Sequence, residues 1–291
     1  MDHPFSKAQI LADALPRLRS MKGSLVVIKY GGSVIDESIY ADSILTDIAF
    51  LKQAGISVIL VHGGGKAISV KMRETGIVPK FIDGLRVTDR KTIKMVESVL
   101  CRTISPQIIQ QLKDRQVAAA SLHGRKVLVA KKKTAASASG QKVSLGFVGD
   151  ITRVNKHPIQ ALLKKGIVPV IAPLARGPGG SALNINADVA SARIAAEMKA
   201  QCLVFLSDVN GLLEDTQHPD STIPKVSQTD IQGLLNTGVI HSGMLPKIQS
   251  ALDALKHGVR RVKMLNGQMA HCILTDFFVD PKIGTEVFIS P

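Results

Sequence analysis

Residues 24–32, SLVVIKYGG, and 56–65, ISVILVHGGG, decide the fold. Each is a run of β-branched and aliphatic residues that stops at glycine, the pattern of a buried strand entering a tight turn. The stretch from about Ala41 to Gln53 between them reads as a helix, so the three together form a βαβ unit. Glycine at a strand end lets the backbone approach a ligand closely, and strand ends are where open α/β sheets hold ligands. Two glycine clusters with Lys29 beside the first point to a ligand carrying phosphate.

Working outward, GIVPVIAPL (166–174) and CLVFLSDV (202–209) repeat the buried-strand pattern. Helices are expected near 64–75, at 89–115 with a break near Pro106, near 156–165, from about Asn186 and from about Met244. Ser227 and Asp230 are spaced as a capping box. Two strand-like runs between Val127 and Val148 flank KKKTAASASGQK, an expected exposed hairpin tip with solvated lysines. After Ser6, the residues Ile10, Leu11, Ala14, Leu15 and Leu18 mark one face of an N-terminal helix, kinked at Pro16 and outside the main fold. Alternating strands and helices imply an α/β fold with a mainly parallel sheet covered on both faces.

A chain of 291 residues can bury a large core. Its net charge of +14 fits nucleic acid or a set of anionic small molecules equally well. With two Tyr, eight Phe and no Trp, no stacking platform for single strands is present, so nucleic acid is the weaker reading. Cys101, Cys202 and Cys272 lie far apart, which speaks against a metal site or a disulfide framework. Neither a signal peptide nor a membrane span is legible, so a cytoplasmic protein is expected.

Known glycine-loop motifs fail on inspection. GGGKAI has Ala67 where a P-loop needs Ser or Thr, and Leu60 where it needs Gly. There is no G-x-S-x-G to accompany HGGG, and neither cluster completes G-x-G-x-x-G. What remains is a set of phosphate- and carboxylate-compatible groups. Lys29 at a strand end can meet a phosphoryl oxygen. Arg86, in a loop before a helix, can grip a carboxylate. Asn184 or Asn186 can cap the helix that holds Asp188, leaving Asp188 unneeded for the cap. Lys247, near a helix start, opposes the dipole unless an anion joins it.

With these residues assembled, the sequence resembles the amino-acid kinase family and, within it, the acetylglutamate kinases. IKYGG and HGGG are shared widely across the family, whereas GLRVTD with NINAD and GMLPK is much more specific to the acetylglutamate branch. The resemblance implies a three-layer αβα sandwich around an open, mainly parallel eight-stranded sheet. It also implies an N-terminal helix (1–22), an acetylglutamate lobe (23–178) and an ATP lobe (179–291). Lys29 and Lys247 match the lysines that stabilise the phosphoryl group in transfer, and Asp188 the aspartate that orients them. Gly64, Gly65, Arg86 and Asn184 match substrate-holding positions. Gly31, Gly32, Ser207, Asp208 and Met244 fall in nucleotide-site segments. The implied reactants are N-acetyl-L-glutamate and ATP with Mg²⁺, the metal held mainly by the phosphates. The N-terminal helix is similar to one that interlaces dimers into a hexamer in arginine-inhibited members. The arginine-binding segment departs from the family pattern: Lys263, Asn266 and Gln268 stand in KMLNGQ, and Asp276 stands where Glu is expected. Arginine inhibition is therefore expected to be weakened. Lys66, where many relatives have Pro, is a further departure. The alternatives are a sister kinase for another carboxylate or carbamate, and a catalytically silent sensor.

Overall fold

Successive residues of the first strand bury on opposite sides of a sheet: Val26, Ile28 and Tyr30 enter one core cluster and Val27 the other. This period of two with both faces covered explains an unbroken apolar run. The computed structural model describes residues 4–31, 38–136, 142–215, 217–218, 221–240, 244–280 and 282–289.

In chain order the first elements are α1 (Pro4–Met21), β1 (Leu25–Tyr30), α2 (Ser38–Gln53), β2 (Ser57–His62), α3 (Gly65–Glu74), β3 (Phe81–Ile82) and β4 (Leu85–Arg86). Then come α4 (Arg90–Ser98), a π-helix (Val99–Ile104), α5 (Ser105–Asp114), β5 (Ala119–Leu122), β6 (Leu128–Ala136) and β7 (Lys142–Val154). The middle holds α6 (His157–Lys164), β8 (Val168–Ile171), β9 (Leu174–Arg176), β10 (Ala182–Asn184), α7 (Ala187–Glu197) and β11 (Cys202–Ser207). The chain closes with β12 (Lys225–Ser227), α8 (Asp230–Asn236), α9 (Leu245–Lys256), β13 (Arg261–Asn266), α10 (Cys272–Phe278) and β14 (Thr285–Phe288).

The eight-stranded sheet has the order β12-β14-β13-β11-β1-β2-β8-β5. All its pairings are parallel except β13 with β14. In register, Val27 stands between Leu203 and Ile59. One core cluster joins the sheet to α2, the α4–α5 segment and α10; the other joins it to α6, α7 and α9. Each fully buried branched side chain in these layers contributes about 1.5–3 kcal/mol.

Several local expectations are corrected. Pro106 does not break the 89–115 helix: the segment passes through the π-helix into α5, with Pro106 in the first turn, where its missing N–H costs nothing. Arg86 lies in β4, paired with Phe81 of β3, and not in a loop. The N-terminal helix is not outside the fold, because Ala14 and Met21 enter the core and Arg17 pairs with Asp280. Only part of its expected apolar face packs, since Ile10, Leu11 and Leu15 are exposed. The Val127–Val148 runs pair as β6 and β7, and with β9 and β10 they close into a small four-stranded barrel that the sequence pattern does not reveal; residues 137–141 of the expected hairpin tip lie outside the described residues. The Ser227–Asp230 box forms as expected: Ser227 N–H donates to Asp230 Oδ2 at 2.9 Å, and Asp230 N–H to Ser227 Oγ at 3.3 Å. Among the described residues, no helix is long and apolar enough to cross a membrane.

Buried polar groups tie distant parts of the chain together. Asp47 of α2, fully buried, accepts from the N–H groups of Ile273 (3.1 Å) and Leu274 (3.4 Å) at the start of α10, and lies 2.7 Å from His271 Nδ1. Donors without partners at a helix start are satisfied this way.

Candidate active site

Because β11, β1 and β2 run parallel, their C-terminal ends open on one edge of the sheet. The chain goes from β1 to β2 on one side and later adds β11 on the other, so strand order reverses at the β1/β11 boundary, where such sheets bind ligands. Gly31 sits there. A Cβ at Gly31 would stand 2.6 Å from the Leu206 carbonyl oxygen, so any larger residue would force the two strand ends apart.

Lys29 projects to the side of Val27, where α7 packs, and its Nζ lies 3.0 Å from Asp188 Oδ1. Asp188 Oδ1 has no hydrogen-bond partner among the described residues, so the contact is an ion pair between two side chains that are 12% and 16% exposed. Asn186, and not Asn184, caps α7: its Oδ1 accepts from Asp188 N–H at 2.8 Å and Val189 N–H at 3.1 Å. Asp188's own carboxylate is thereby left to face the lysines. Lys247, in the first turn of α9, is half-buried. Burial pushes its ammonium pKa below the ordinary lysine value; Asp188 and Asp208 oppose this, and Lys29 adds to it. Two ammonium groups therefore share one neighbourhood with Asp188, and a polyanion entering between them relieves both burial and repulsion.

A cavity of about 220 Å³ is lined by Lys29, Gly63, Gly64, Gly65, Arg86, Asn184 and Asp188, among others. A larger cleft of about 1060 Å³ adjoins it and shares Gly84, Leu85, Val148 and Asn186, but Lys29, Arg86 and Asp188 do not line it; Lys247 lines neither. The smaller cavity, with its convergent charge, is the candidate site. A Cβ at Gly64 would lie 2.6 Å from Leu100 Cδ2 and 2.7 Å from Ile104 Cδ1, whereas Gly65 has open space around it. Among the described residues, the N–H groups of Gly64 and Gly65 have no backbone partner, as expected at the start of a helix.

Arg86 is held by several protein groups at once. It donates to Gly65 O and Ser69 Oγ, both at 2.8 Å, contacts Met72 Sδ at 3.2 Å, and its guanidinium lies 4.7 Å from the Phe81 ring centroid. Burial, and then Arg73, push its pKa down, but a guanidinium starts so high that it stays charged. Asn184 Nδ2 donates to Thr88 Oγ1 at 3.4 Å, and Thr88 Oγ1 donates to Arg86 O at 2.7 Å. Ser69, Phe81 and Thr88 are thus site-building residues that sequence reasoning missed; only their proximity to GGG and GLRVTD signals them.

Ser207 ends β11, buried, with its carbonyl accepting from Gly267 N–H at 2.7 Å. Asp208 is exposed, and Met244 directly precedes α9. Ser207 and Asp208 stand at the end of β11, and none of the three is in the cavity wall. Gly32 lies outside the described residues, and Lys66 is exposed.

Residues 24–266, which hold all of these groups, match the sequence model of the amino acid kinase family. The chain belongs to the amino acid kinase family. As an amino acid kinase it is an enzyme, and its similarity to individual members of the family is extensive. The acetylglutamate kinase of Symbiobacterium thermophilum is 40% identical over 284 residues, which cover 97% of each chain. That of Aquifex aeolicus is 39% identical over 298 residues, which cover 99% of each. Among solved structures, the N-acetylglutamate synthase from Neisseria gonorrhoeae, complexed with coenzyme A and N-acetyl-glutamate, superposes with a TM-score of 0.85 at 25% identity. It covers 98% of this amino acid kinase, which in turn spans only 64% of that longer protein.

Proposed function

We propose that this kinase transfers the γ-phosphoryl group of ATP to the γ-carboxylate of N-acetyl-L-glutamate, giving N-acetyl-L-glutamyl 5-phosphate and ADP, in the acetylated route of arginine biosynthesis in the cytoplasm. The observation that carries this reading is the grouping of Lys29, Asp188 and Lys247 near a glycine loop, in a chain similar over 97–99% of its length to acetylglutamate kinases.

The chemistry asks little of the protein beyond placement. A carboxylate with an ordinary pKa of about 4.3 is already an ionised nucleophile at pH 7, so no general base is needed. One carboxylate oxygen forms the new bond to the γ-phosphorus as the bond to the β,γ-bridging oxygen breaks, and ADP leaves with that electron pair. Lys29 and Lys247 offset the charge spread over the phosphoryl oxygens, and Asp188 holds the ammonium groups in place. The Gly64 and Gly65 N–H groups meet the reacting carboxylate, while Arg86 and Asn184 hold the rest of the acetylglutamate. Gly31, Gly32, Ser207, Asp208 and Met244 serve the nucleotide. Mg²⁺ enters carried by the phosphates of ATP. Bound there, Mg²⁺ supplies further charge neutralisation. In this reading residues 23–178 form the acetylglutamate lobe and residues 179–291 the ATP lobe, with Asn184 of the second reaching acetylglutamate and Gly31 and Gly32 of the first reaching the nucleotide. The exposed Ile10, Leu11 and Leu15 on α1 fit a helix that joins copies into a hexamer.

The decisive assay supplies MgATP and N-acetyl-L-glutamate and traps acyl phosphate with hydroxylamine, beside N-acetylaspartate, glutamate and aspartate. Hydroxamate with acetylglutamate alone is the expected result; ATP binding without product from any acceptor would sink the reading. Arginine added to the assay is expected to inhibit only weakly. The carboxylates of Asp276 and Glu286, which a guanidinium would seek, are already engaged by Lys263 at 3.2 and 2.7 Å.

Arg86→Lys tests the role of the substrate-holding arginine. An ammonium cannot keep the Gly65 and Ser69 bonds and also grip a carboxylate as a fork. The KM for acetylglutamate should rise by about 10–100-fold, equivalent to roughly 1.5–3 kcal/mol of a charged hydrogen bond, with the KM for ATP unchanged. Equal changes in both constants would remove Arg86 from the acceptor site.

A further inference from the structure

His62 ends β2 directly before the glycine loop, is fully buried, and has no part in the phosphoryl-transfer chemistry above. Its Nδ1 lies 2.9 Å from the carbonyl oxygen of Gly63, and its Nε2 lies 2.7 Å from Ser105 Oγ. A carbonyl can only accept, so Nδ1 carries the proton. Burial pushes the imidazole pKa down to about 4, so at neutral pH the ring holds one proton and Nε2 accepts from the Ser105 hydroxyl. Both ring nitrogens are used, and the tautomer is fixed by its partners.

This arrangement sets the direction of a backbone donor. In a planar trans peptide the C=O and the following N–H point in opposite directions. With the Gly63 carbonyl held by the buried imidazole, the Gly64 N–H is turned away from it, and Gly64 lines the cavity shared with Lys29 and Asp188. The anchor is itself fixed: Ser105, fully buried, begins α5 where the π-helix ends, and Leu100 and Ile104 of that π-helix pack on the Gly64 Cα. Insertions of this kind in a helix occur disproportionately at functional sites. One structural unit thus holds the Gly63–Gly64 peptide by its carbonyl and by its flank.

We infer that His62, neutral and protonated on Nδ1, is a positioning residue that aims the Gly64 N–H at the reacting carboxylate, with Ser105 as its anchor. The inference rests on the proposed acyl-phosphate chemistry, so turnover of the parent enzyme with acetylglutamate is measured first. Two amide substitutions of similar polarity then separate the ring nitrogens. In His62→Asn the amide nitrogen occupies the place of Nδ1 and keeps the bond to Gly63 O. In His62→Gln it occupies the place of Nε2 and loses that bond. His62→Asn should retain kcat within about threefold, and His62→Gln should lose about 10–100-fold in kcat at an unchanged KM for ATP, since a misaimed donor acts on the transition state. Equal losses, or the reverse order, would overturn the inference. A spectroscopic readout needs no variant and no turnover: in the ¹⁵N-histidine-labelled parent protein, His62 should show the Nδ1–H tautomer at pH 7. An Nε2–H tautomer or an imidazolium there would overturn the positioning role even where the kinase assay succeeds, and the Nδ1–H form would stand even if acetylglutamate were not the acceptor.

Discussion

Lys247→Ala and Lys29→Ala are each expected to lower kcat by about 10³-fold while the protein keeps its fold, the upper end of what loss of one preorganised charge-stabilising group costs. Stability should hardly change. Lys247 is a half-buried cation under repulsion from Lys29, so its removal relieves strain, as is common for groups kept for function. With Lys29 gone, Asp188 still has Lys247 as a nearby cation. The pH dependence separates this from a general loss of order. Only the protonated ammonium neutralises phosphoryl charge, so activity is present below the Lys247 pKa and lost as pH rises through it. Because that pKa is pushed below its ordinary 10.5, the alkaline limb of kcat/KM for ATP should fall below 10.5, and Lys247→Arg should move it upward even if turnover drops. Near-normal turnover in both alanine variants would defeat the assigned roles.

Lys263→Ala should be the most destabilising single change considered. The Lys263 side chain is 8% exposed and bridges Asp276, 0% exposed, and Glu286, 17% exposed, so that β13, α10 and β14 meet at one ammonium. Burial pushes the Lys263 pKa down, but the two carboxylates more than offset it and the net shift is upward. Burial pushes Asp276 up, and Lys263 only partly offsets this. Removing the cation leaves a wholly buried carboxylate without its partner, at a cost of about 3–5 kcal/mol. Urea unfolding would show it, and Lys263→Met combined with Asp276→Leu should recover most of the loss. A raised lysine pKa carries stability that is full below 10.5 and is lost as pH climbs through the folded value, so the alanine variant should lack that alkaline decline. A loss under about 1 kcal/mol would mean that the cluster is not effectively buried.

What could be read from sequence depended on how local the cause was. β1, β2, β8 and β11 were legible because strands buried on both faces must be apolar throughout, and glycine marks their ends. Asp188 could be separated from the cap because capping chemistry acts over three residues. The π-helix could not be read. Pro106 suggests a break, whereas the contacts of Leu100 and Ile104 with Gly64 and of Ser105 with His62 come from another part of the chain. The β3–β4 hairpin and the small barrel were equally hidden, since strands of two or three residues are defined by their partners and not by their own pattern. At Lys263 the sequence shows an unusual cation but not Glu286, which pairs with it across the β13/β14 ladder. His62 carried an overlooked clue: it shares the parity of Val58 and Leu60 in β2, and so the side of the sheet that meets α5.

The place of β1 between β2 and β11 also governs how the protein is made. β2 follows β1 after one helix, but β11 begins only at Cys202. At about 5–20 residues per second, synthesis leaves the other edge of β1 without its partner for on the order of 10–30 s. During that interval the nascent chain carries an apolar central strand with a row of unpaired amide and carbonyl groups, a template for pairing with other chains. The contacts that finish the sheet are among the most distant in sequence, which slows folding. A chain interrupted before Cys202 would keep the glycine loop and Lys29, yet would hold the sheet open at the very strand around which the phosphate site is assembled.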